Sequence, residues 1–119
     1  IVLGTAVGTE LDVRTIFAER KKEKMVVRRG FEIKPNEKVL IVEDVITTGG
    51  SVSEVMDFVE KSGGNLIGVG VLVDRSNGTV HLHNNQFSIV RMDATSFHEN
   101  EIPQELADVP VQKPGSRSI

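Results

Sequence analysis

The stretch that decides the fold of this chain is residues 39–51, Val39-Leu40-Ile41-Val42-Glu43-Asp44-Val45-Ile46-Thr47-Thr48-Gly49-Gly50-Ser51. The four apolar residues at its start are typical of a strand that is buried on both faces. Two carboxylates follow, and then a turn rich in threonine and glycine. Ser51 and Glu54 have the spacing of a capping box, which predicts Ser51 as the N-cap of a helix and Glu54 as its N3 partner. The order is therefore strand, acidic pair, turn and helix start.

This order of elements fits an anion beside a polyhydroxylated group. The free backbone N–H groups and the dipole at a helix start favour a phosphate. Gly49 and Gly50 let the main chain approach the anion closely and permit positive φ, and the hydroxyl groups of the turn can add donors. Glu43 and Asp44 would repel the same phosphate, but they can accept hydrogen bonds from sugar hydroxyls. The stretch thus indicates a sugar phosphate site.

Strand and helix patterns around this stretch predict a βαβ unit. The helix after the turn should bury four residues at helical spacing and end at Gly63-Gly64; the four are Val52, Val55, Met56 and Val59. Residues 65–73 form a second apolar strand, which is expected to lie parallel to the first. Because ligands bind beyond the carboxyl ends of parallel strands, Glu43-Asp44 and Asp74-Arg75 should line one crevice.

The remaining patterns predict shorter elements around this unit. A helix is expected in residues 1–12, a strand in 13–18, further strands in 80–83 and 87–92, and a short helix in 99–108. Met25-Val26-Val27 and Phe31-Glu32-Ile33 flank Arg28-Arg29-Gly30, which predicts a hairpin-like excursion. The fold expected from all of these is an α/β domain with a mostly parallel central sheet and flanking helices.

Composition bounds the class of protein and its partners. The chain has 119 residues, of which 39% are hydrophobic and 26% charged, as in an ordinary globular domain. The net charge of −3 implies no bulk attraction to nucleic acid or membrane, and the absence of cysteine excludes disulfides. The absence of cysteine fits a reducing cytoplasm, where we expect the protein, and no apolar run approaches the ~20 residues of a membrane span. The chain opens in an apolar stretch at Ile1, and we expect a single domain over residues 1–119 that lacks upstream residues.

Residues 39–51 closely resemble the signature of type I phosphoribosyltransferases. In that family the acidic pair holds the ribose hydroxyls of phosphoribosyl pyrophosphate (PRPP), and the turn holds its 5′-phosphate. The resemblance implies that PRPP is bound here by Glu43, Asp44, Val45, Ile46, Thr47, Thr48, Gly49, Gly50 and Ser51. The alternative is an ordinary capped turn with a chance acidic pair, but the strand–turn–helix context favours the motif.

A dense charged run precedes the central strand. Charge runs are usually solvated surface loops. Beside a PRPP motif, the run in Arg20-Lys21-Lys22-Glu23-Lys24 is better explained as a lid that brings cations to pyrophosphate. Cations that close over the departing pyrophosphate would stabilise its developing charge and exclude water.

The same run resembles the catalytic loop of the orotate phosphoribosyltransferases, which has an Arg-Lys-x-x-Lys pattern. The resemblance implies that Arg20, Lys21 and Lys24 contact PRPP, and that Lys24 is catalytic together with the acidic pair. In that family the first lysine acts on the neighbouring subunit's site, which implies a homodimer in which Lys21 acts in trans. Many members carry a histidine shortly after the last lysine. Met25 and Val26 stand there in this chain, so no histidine role is carried over.

Two further positions match base contacts of the orotate enzymes. The resemblance implies that Thr47 and Arg75 bind orotate, whereas the bland alternative for Arg75 is a surface pair with Asp74. The implied reaction joins orotate to PRPP and gives orotidine 5′-monophosphate and pyrophosphate. Mg²⁺ would be held mainly through PRPP oxygens, without a protein metal site. A purine-type phosphoribosyltransferase and a non-catalytic PRPP-sensing regulator remain as alternatives.

Two histidines alternate on the strand expected at residues 80–83. His81 and His83 would then share one face, which would allow a two-histidine metal site, but an exposed strand face is the favoured explanation.

Overall fold

A computed structural model describes residues 1–22, 24–27, 30–95 and 97–110 of the chain. The described elements, in chain order, are helix α1 (Val2–Glu10), strands β1 (Ala18–Lys21), β2 (Lys24–Val27) and β3 (Lys38–Ile46), helix α2 (Gly50–Lys61), strands β4 (Asn65–Asp74) and β5 (Gln86–Arg91), a 3-10 turn (Glu99–Glu101) and helix α3 (Gln104–Ala107). Within this part of the chain, no helix is long and apolar enough to cross a membrane.

The predicted βαβ unit is confirmed as β3, α2 and β4. The sheet has the order β3-β4-β5, and both neighbouring pairs are parallel. The α2 residues Val52 and Val59 are buried, and they pack in one core cluster with Ile41 of β3 and with Val69 and Val71 of β4. The helical spacing of these valines therefore placed the buried side of α2 correctly.

Strand β3 is not buried on both faces, contrary to the expectation from its apolar run. Leu40 is 40% exposed, whereas Ile41 is 7% exposed. Successive residues of a strand point to opposite faces of a sheet, so Leu40 lies on the face away from the α2 core. On that face Gly4 of α1 lies against Val42. The two helices thus flank β3 on opposite faces.

The antiparallel hairpin lies earlier in the chain than predicted. Strand β1 pairs with β2, so that Arg20 faces Met25 and Lys21 faces Lys24. The strand predicted at residues 13–18 is wrong, because this segment is an extended connector that only reaches β1 at its last residue. Residues 31–33 are likewise outside any described strand, and Arg28 and Arg29 of the predicted tip lie outside the described residues.

A charged contact holds this connector against the start of β3. The Arg14 guanidinium donates to both Glu37 carboxylate oxygens, at 2.7 and 2.6 Å, and to the carbonyl of Glu32 at 2.7 Å. The bonds from Arg14 to the Glu37 carboxylate, followed by the bond from the N–H of Lys34, lower the pKa of Glu37 to about 2. The partners are 23 residues apart in sequence, which explains why a local pattern did not reveal them.

Two other expected elements have different forms. Residues 80–83 lie outside the described strands, because the Gln86 side chain takes the place of a strand partner: it accepts from the N–H of Leu82 and donates to the carbonyl of Val80. The helix expected at 99–108 is split into the 3-10 turn and α3. Pro103 separates them, since proline has no N–H and disfavours a helical residue before it. The helix at the start of the chain and strand β5 are confirmed.

Candidate active site

The turn after β3 requires glycine at one position only. Gly49 has φ +76° and is the N-cap of α2, which begins at Gly50. A Cβ on Gly49 would lie 2.8 Å from Val80 Cγ1 and 3.1 Å from both Cδ atoms of Leu82. Gly50 does not have positive φ, and a Cβ there would meet only Thr48 Oγ1, at 3.7 Å. The expectation of conformational freedom at both glycines is therefore correct for Gly49 and wrong for Gly50.

The predicted capping box is not formed. Ser51 lies inside α2, because the left-handed conformation of Gly49 starts the helix before it. Glu54 turns to the hairpin instead, where it accepts from the N–H of Met25 at 2.8 Å and from Arg20 at 3.0 Å. Glycine has no side chain that could accept from the first N–H groups of the helix. The start of α2 therefore lacks the cap that serine would supply, which leaves it suited to an anion.

This turn forms one wall of an open cleft of about 370 Å³. The hairpin and the end of β3 form the other walls. The cleft is lined by Ala18, Glu19, Arg20, Met25, Glu43, Val45, Ile46, Thr47, Thr48, Gly49, Gly50, Ser51 and Val52. The structure thus brings Arg20 and Glu43 together with the whole expected phosphate turn. Four predicted site residues are not among the described residues that line the cleft, namely Lys21, Lys24, Asp44 and Arg75.

The two members of the acidic pair differ in their exposure. The strand continues to Ile46, so Glu43 and Asp44 leave the backbone on opposite faces, but their carboxyl groups stay close enough to hydrogen-bond each other. Glu43 is half-buried and lines the cleft, whereas Asp44 is exposed. Each carboxylate accepts the N–H of the following residue, at 3.0 Å for Glu43 and 2.8 Å for Asp44. Burial, followed by the neighbouring Asp44 carboxyl, raises the pKa of Glu43.

The basic residues of the hairpin have different surroundings. Arg20 lines the cleft and donates to Glu54 at 3.0 Å and to Ser51 Oγ at 3.3 Å. Lys21 and Lys24 face each other near the tip and are exposed. The hairpin therefore presents Arg20 to the cleft of its own chain, and Lys21 and Lys24 to solvent.

Arg75 lies beside the phosphate turn through its backbone. Its N–H donates to the carbonyl of Ile46 at 2.9 Å, which joins the end of β4 to the residue before Thr47. The Arg75 side chain is exposed. Asp74 is fully buried and accepts hydrogen bonds from Ser76 and Gly78, and the bonds from Ser76 chiefly lower its pKa. This carboxylate is thus engaged in its own turn, contrary to the alternative that Arg75 is its surface partner.

Sequence patterns did not reveal the roles of three residues around the site. Val80 and Leu82 cover Gly49, and Glu54 holds the hairpin. Because residues 80–83 do not form a strand, alternation no longer places His81 and His83 on one face. His83 Nδ1 accepts a hydrogen bond from the N–H of Asn85. In the described ranges, no group of three or more His, Asp or Glu residues is placed to hold a metal ion.

Comparison with known proteins gives a consistent result. The family model "Phosphoribosyl transferase domain" matches residues 4–106. An orotate phosphoribosyltransferase of Chlorobaculum parvum is 54% identical over 118 residues, which are 99% of this chain and 61% of that protein. One of Pelotomaculum thermopropionicum is 50% identical over 119 residues, 100% of this chain and 63% of that protein. The chain thus spans less than two thirds of the length of these curated relatives.

Solved structures show the same fold at lower identity. Adenine phosphoribosyltransferase of Saccharomyces cerevisiae superposes with a TM-score of 0.63 at 21% identity, covering 74% of this chain and 59% of the other. UMP synthase of Leishmania donovani gives 0.56 at 22% identity, covering 73% of this chain and 20% of the other. Since the family model covers most of the chain, including the βαβ unit and its glycine turn, the chain belongs to the phosphoribosyl transferase domain family and has the type I phosphoribosyltransferase fold.

Proposed function

We propose that this chain is the core of an orotate phosphoribosyltransferase, which transfers the 5-phosphoribosyl group from PRPP to orotate in UMP biosynthesis. The observation that carries the proposal is the cleft in which Glu43 and Arg20 face an uncapped glycine turn. Relatives at 50–54% identity bear the name of this activity, which favours orotate over other bases. A cytoplasmic homodimer without nucleic-acid or membrane partners completes the proposal.

In this proposal PRPP lies along the cleft. Its 5′-phosphate accepts from the backbone N–H groups of residues 47–51, where the helix dipole also favours an anion. Its ribose hydroxyls donate to Glu43 from inside the cleft and to Asp44 from the strand end. As the bond to pyrophosphate weakens, positive charge develops on the ribose ring. The Glu43 carboxylate then lies where it can stabilise that charge.

The leaving pyrophosphate is received by cations of the hairpin. Arg20 lines the cleft. Lys24 lies on the same hairpin and acts in the same site, whereas Lys21 acts in the site of the neighbouring subunit. The residues of the cleft fit a Mg²⁺ ion held mainly through substrate oxygens. Among the described residues that line the cleft, only Glu19 and Glu43 carry a carboxylate. When bound, this ion neutralises charge on the pyrophosphate.

Orotate lies at the other end of the turn in this proposal. Thr47 lines the cleft, and the bond between the Arg75 N–H and the Ile46 carbonyl places the Arg75 backbone beside the residue that precedes Thr47. A guanidinium can bind the carboxylate of orotate in a bidentate manner, which neutral bases cannot offer.

The test is pyrophosphate release from PRPP with orotate, adenine or hypoxanthine as acceptor. We expect pyrophosphate release when orotate is the acceptor, and none when adenine or hypoxanthine is the acceptor. Release with a purine would establish the purine-type alternative instead. PRPP binding in a calorimeter without release in any reaction would establish the non-catalytic PRPP sensor.

Replacing Glu43 by glutamine should change how PRPP binding depends on pH. The ribose hydroxyls need an ionised carboxylate, and the pKa of Glu43 is raised above its ordinary 4.5. Wild-type affinity should therefore fall as the pH is lowered, starting from a higher pH than for an ordinary glutamate. At neutral pH, Glu43→Gln should weaken binding about 10- to 100-fold. The ratio of the PRPP dissociation constant of Glu43→Gln to that of the wild type should shrink as the pH falls. Titration of PRPP itself affects both constants and therefore cancels in this ratio. A ratio that is independent of pH would contradict the role.

Two inactive variants should restore activity when they are mixed. Lys21 is exposed and does not line the described cleft of its own chain, which supports action on a neighbouring subunit. Lys21→Ala and Arg75→Ala proteins, each nearly inactive, should form mixed dimers with one intact site, giving roughly a quarter of wild-type activity. Each variant treated alone in the same way is the control. No recovery despite demonstrated subunit exchange would show that Lys21 serves its own site.

A further inference from the structure

The hairpin and α2 meet at an apolar seam. The seam is lined by Ala18, Met25, Val26, Val27, Val55 and Phe58. It places β2 beside the middle of α2. Apolar contacts of this kind hold the hairpin against α2, but they do not fix its position along the helix, because the hydrophobic effect is non-directional. A directional contact is therefore needed to fix where the hairpin stands.

Glu54 supplies that contact through both of its carboxylate oxygens. One accepts from the backbone N–H of Met25 at 2.8 Å, and the other from the Arg20 guanidinium at 3.0 Å. Arg20 and Met25 are register partners on β1 and β2. A single carboxylate thus binds one cross-strand pair, on both strands at once. The two bonds also lower the pKa of Glu54, that from Met25 chiefly, so the carboxylate is charged at neutral pH.

The position of Glu54 follows from the glycine cap. Because α2 begins at Gly50, Glu54 lies beyond the first turn and is not used to cap the helix. Its removal should therefore leave the helix start unchanged. It would, however, release Arg20, which also donates to Ser51 Oγ at the edge of the cleft.

We propose that Glu54 is a positioning residue for the basic hairpin: it sets Arg20 against the phosphate turn and holds the lysine-bearing tip in the position from which it acts. This inference rests on the proposed transfer reaction. An ordinary exposed ion pair contributes little to stability, and Glu54 is 39% exposed. Its effect should consequently appear in turnover and in hairpin order rather than in the unfolding midpoint.

The kinetic arm compares Glu54→Ala, Glu54→Gln and Asp57→Ala. Glutamine keeps an acceptor for the Met25 N–H, while alanine loses both bonds. Asp57 is a matched acidic residue of α2 that pairs with Lys61 instead. We expect Glu54→Ala to lower kcat about 10- to 100-fold while the dissociation constant of PRPP changes less than about threefold. Glu54→Gln should recover most of kcat, and Asp57→Ala should retain all of it.

The second arm is amide hydrogen exchange of β1 and β2 without substrates, which needs no activity. Glu54→Ala should exchange faster in these strands, and Glu54→Gln and Asp57→Ala should match the wild type. Unchanged exchange in Glu54→Ala would overturn the contact itself. Full kcat in that variant would overturn the positioning role. A wild-type protein that releases no pyrophosphate with orotate would overturn the proposed reaction, whereas the exchange arm would still decide whether Glu54 holds the hairpin.

Discussion

Gly49→Ala is expected to lose both the glycine turn and the affinity for PRPP. The added Cβ must occupy a left-handed conformation, which costs about 1–2 kcal/mol, and it would lie 2.8 Å from Val80 Cγ1. We expect the free energy of unfolding to fall by about 1–3 kcal/mol in total. Displacement of the backbone N–H groups should weaken PRPP binding more than about tenfold. Thermal unfolding and titration calorimetry measure the two effects.

Gly50→Val is the matched variant at the next residue. Gly50 does not need positive φ, and its Cβ would meet only Thr48 Oγ1 at 3.7 Å. The fold should therefore survive, because valine has a slightly better helix propensity than the glycine that it replaces, by roughly a few tenths of a kcal/mol. The branched side chain should still obstruct the close approach of the phosphate, so PRPP binding should be abolished. A folded variant with unchanged PRPP affinity would remove Gly50 from the site, and a stable Gly49→Ala protein would show that the turn can rearrange.

Arg75→Ala should lose about 2–4 kcal/mol of transition-state stabilisation with orotate, or ~30- to 1000-fold in kcat/KM. Much of this loss would come from a substrate carboxylate left without its partner. The dissociation constant of PRPP should change little, because its phosphate and ribose are assigned to residues 43–51. The measurement compares kcat/KM for orotate with the PRPP dissociation constant in the same variant.

Uracil provides the substrate-side control for Arg75, since it lacks the carboxylate. The wild-type protein should prefer orotate strongly over uracil, and Arg75→Ala should lose most of that preference. The assignment of Arg75 to orotate binding would be contradicted if the variant kept full efficiency with orotate, or if its PRPP affinity fell as much as its efficiency with orotate. Either result would favour the purine-type alternative.

The sequence predicted the parts of the fold that depend on local periodicity. The valine spacing of α2 identified Val52 and Val59 as buried, and the apolar runs identified β3 and β4. The capping box failed although its spacing was present. Its two members contact the hairpin, which lies about 30 residues earlier in the chain, and the left-handed Gly49 moves the helix start. A short-range motif was thus overridden by a contact between distant residues.

The candidate site was predicted by residue type more accurately than by geometry. The turn, Glu43 and Arg20 do line one cleft, whereas Asp44 is not among the residues that line it. Had the end of β3 been placed at Ile46, the period of two along the strand would have predicted that only one of the two acidic residues lines the cleft. The contact of Val80 and Leu82 with Gly49 had no local signal, because a glutamine side chain rather than a strand holds that segment.

The half-buried Glu43 carboxyl has a consequence for protein engineering. Its pKa is higher in the folded chain than its ordinary value of 4.5, so its contribution to stability decreases as the pH rises from 4.5 through the raised pKa. At a pH above the raised pKa, the ionised group therefore opposes folding. Directed evolution for heat tolerance alone would be drawn to neutral replacements at this position, while selection for turnover would restore the acid. Libraries screened for both properties should keep Glu43 and gain their thermal tolerance elsewhere, in residues remote from the cleft.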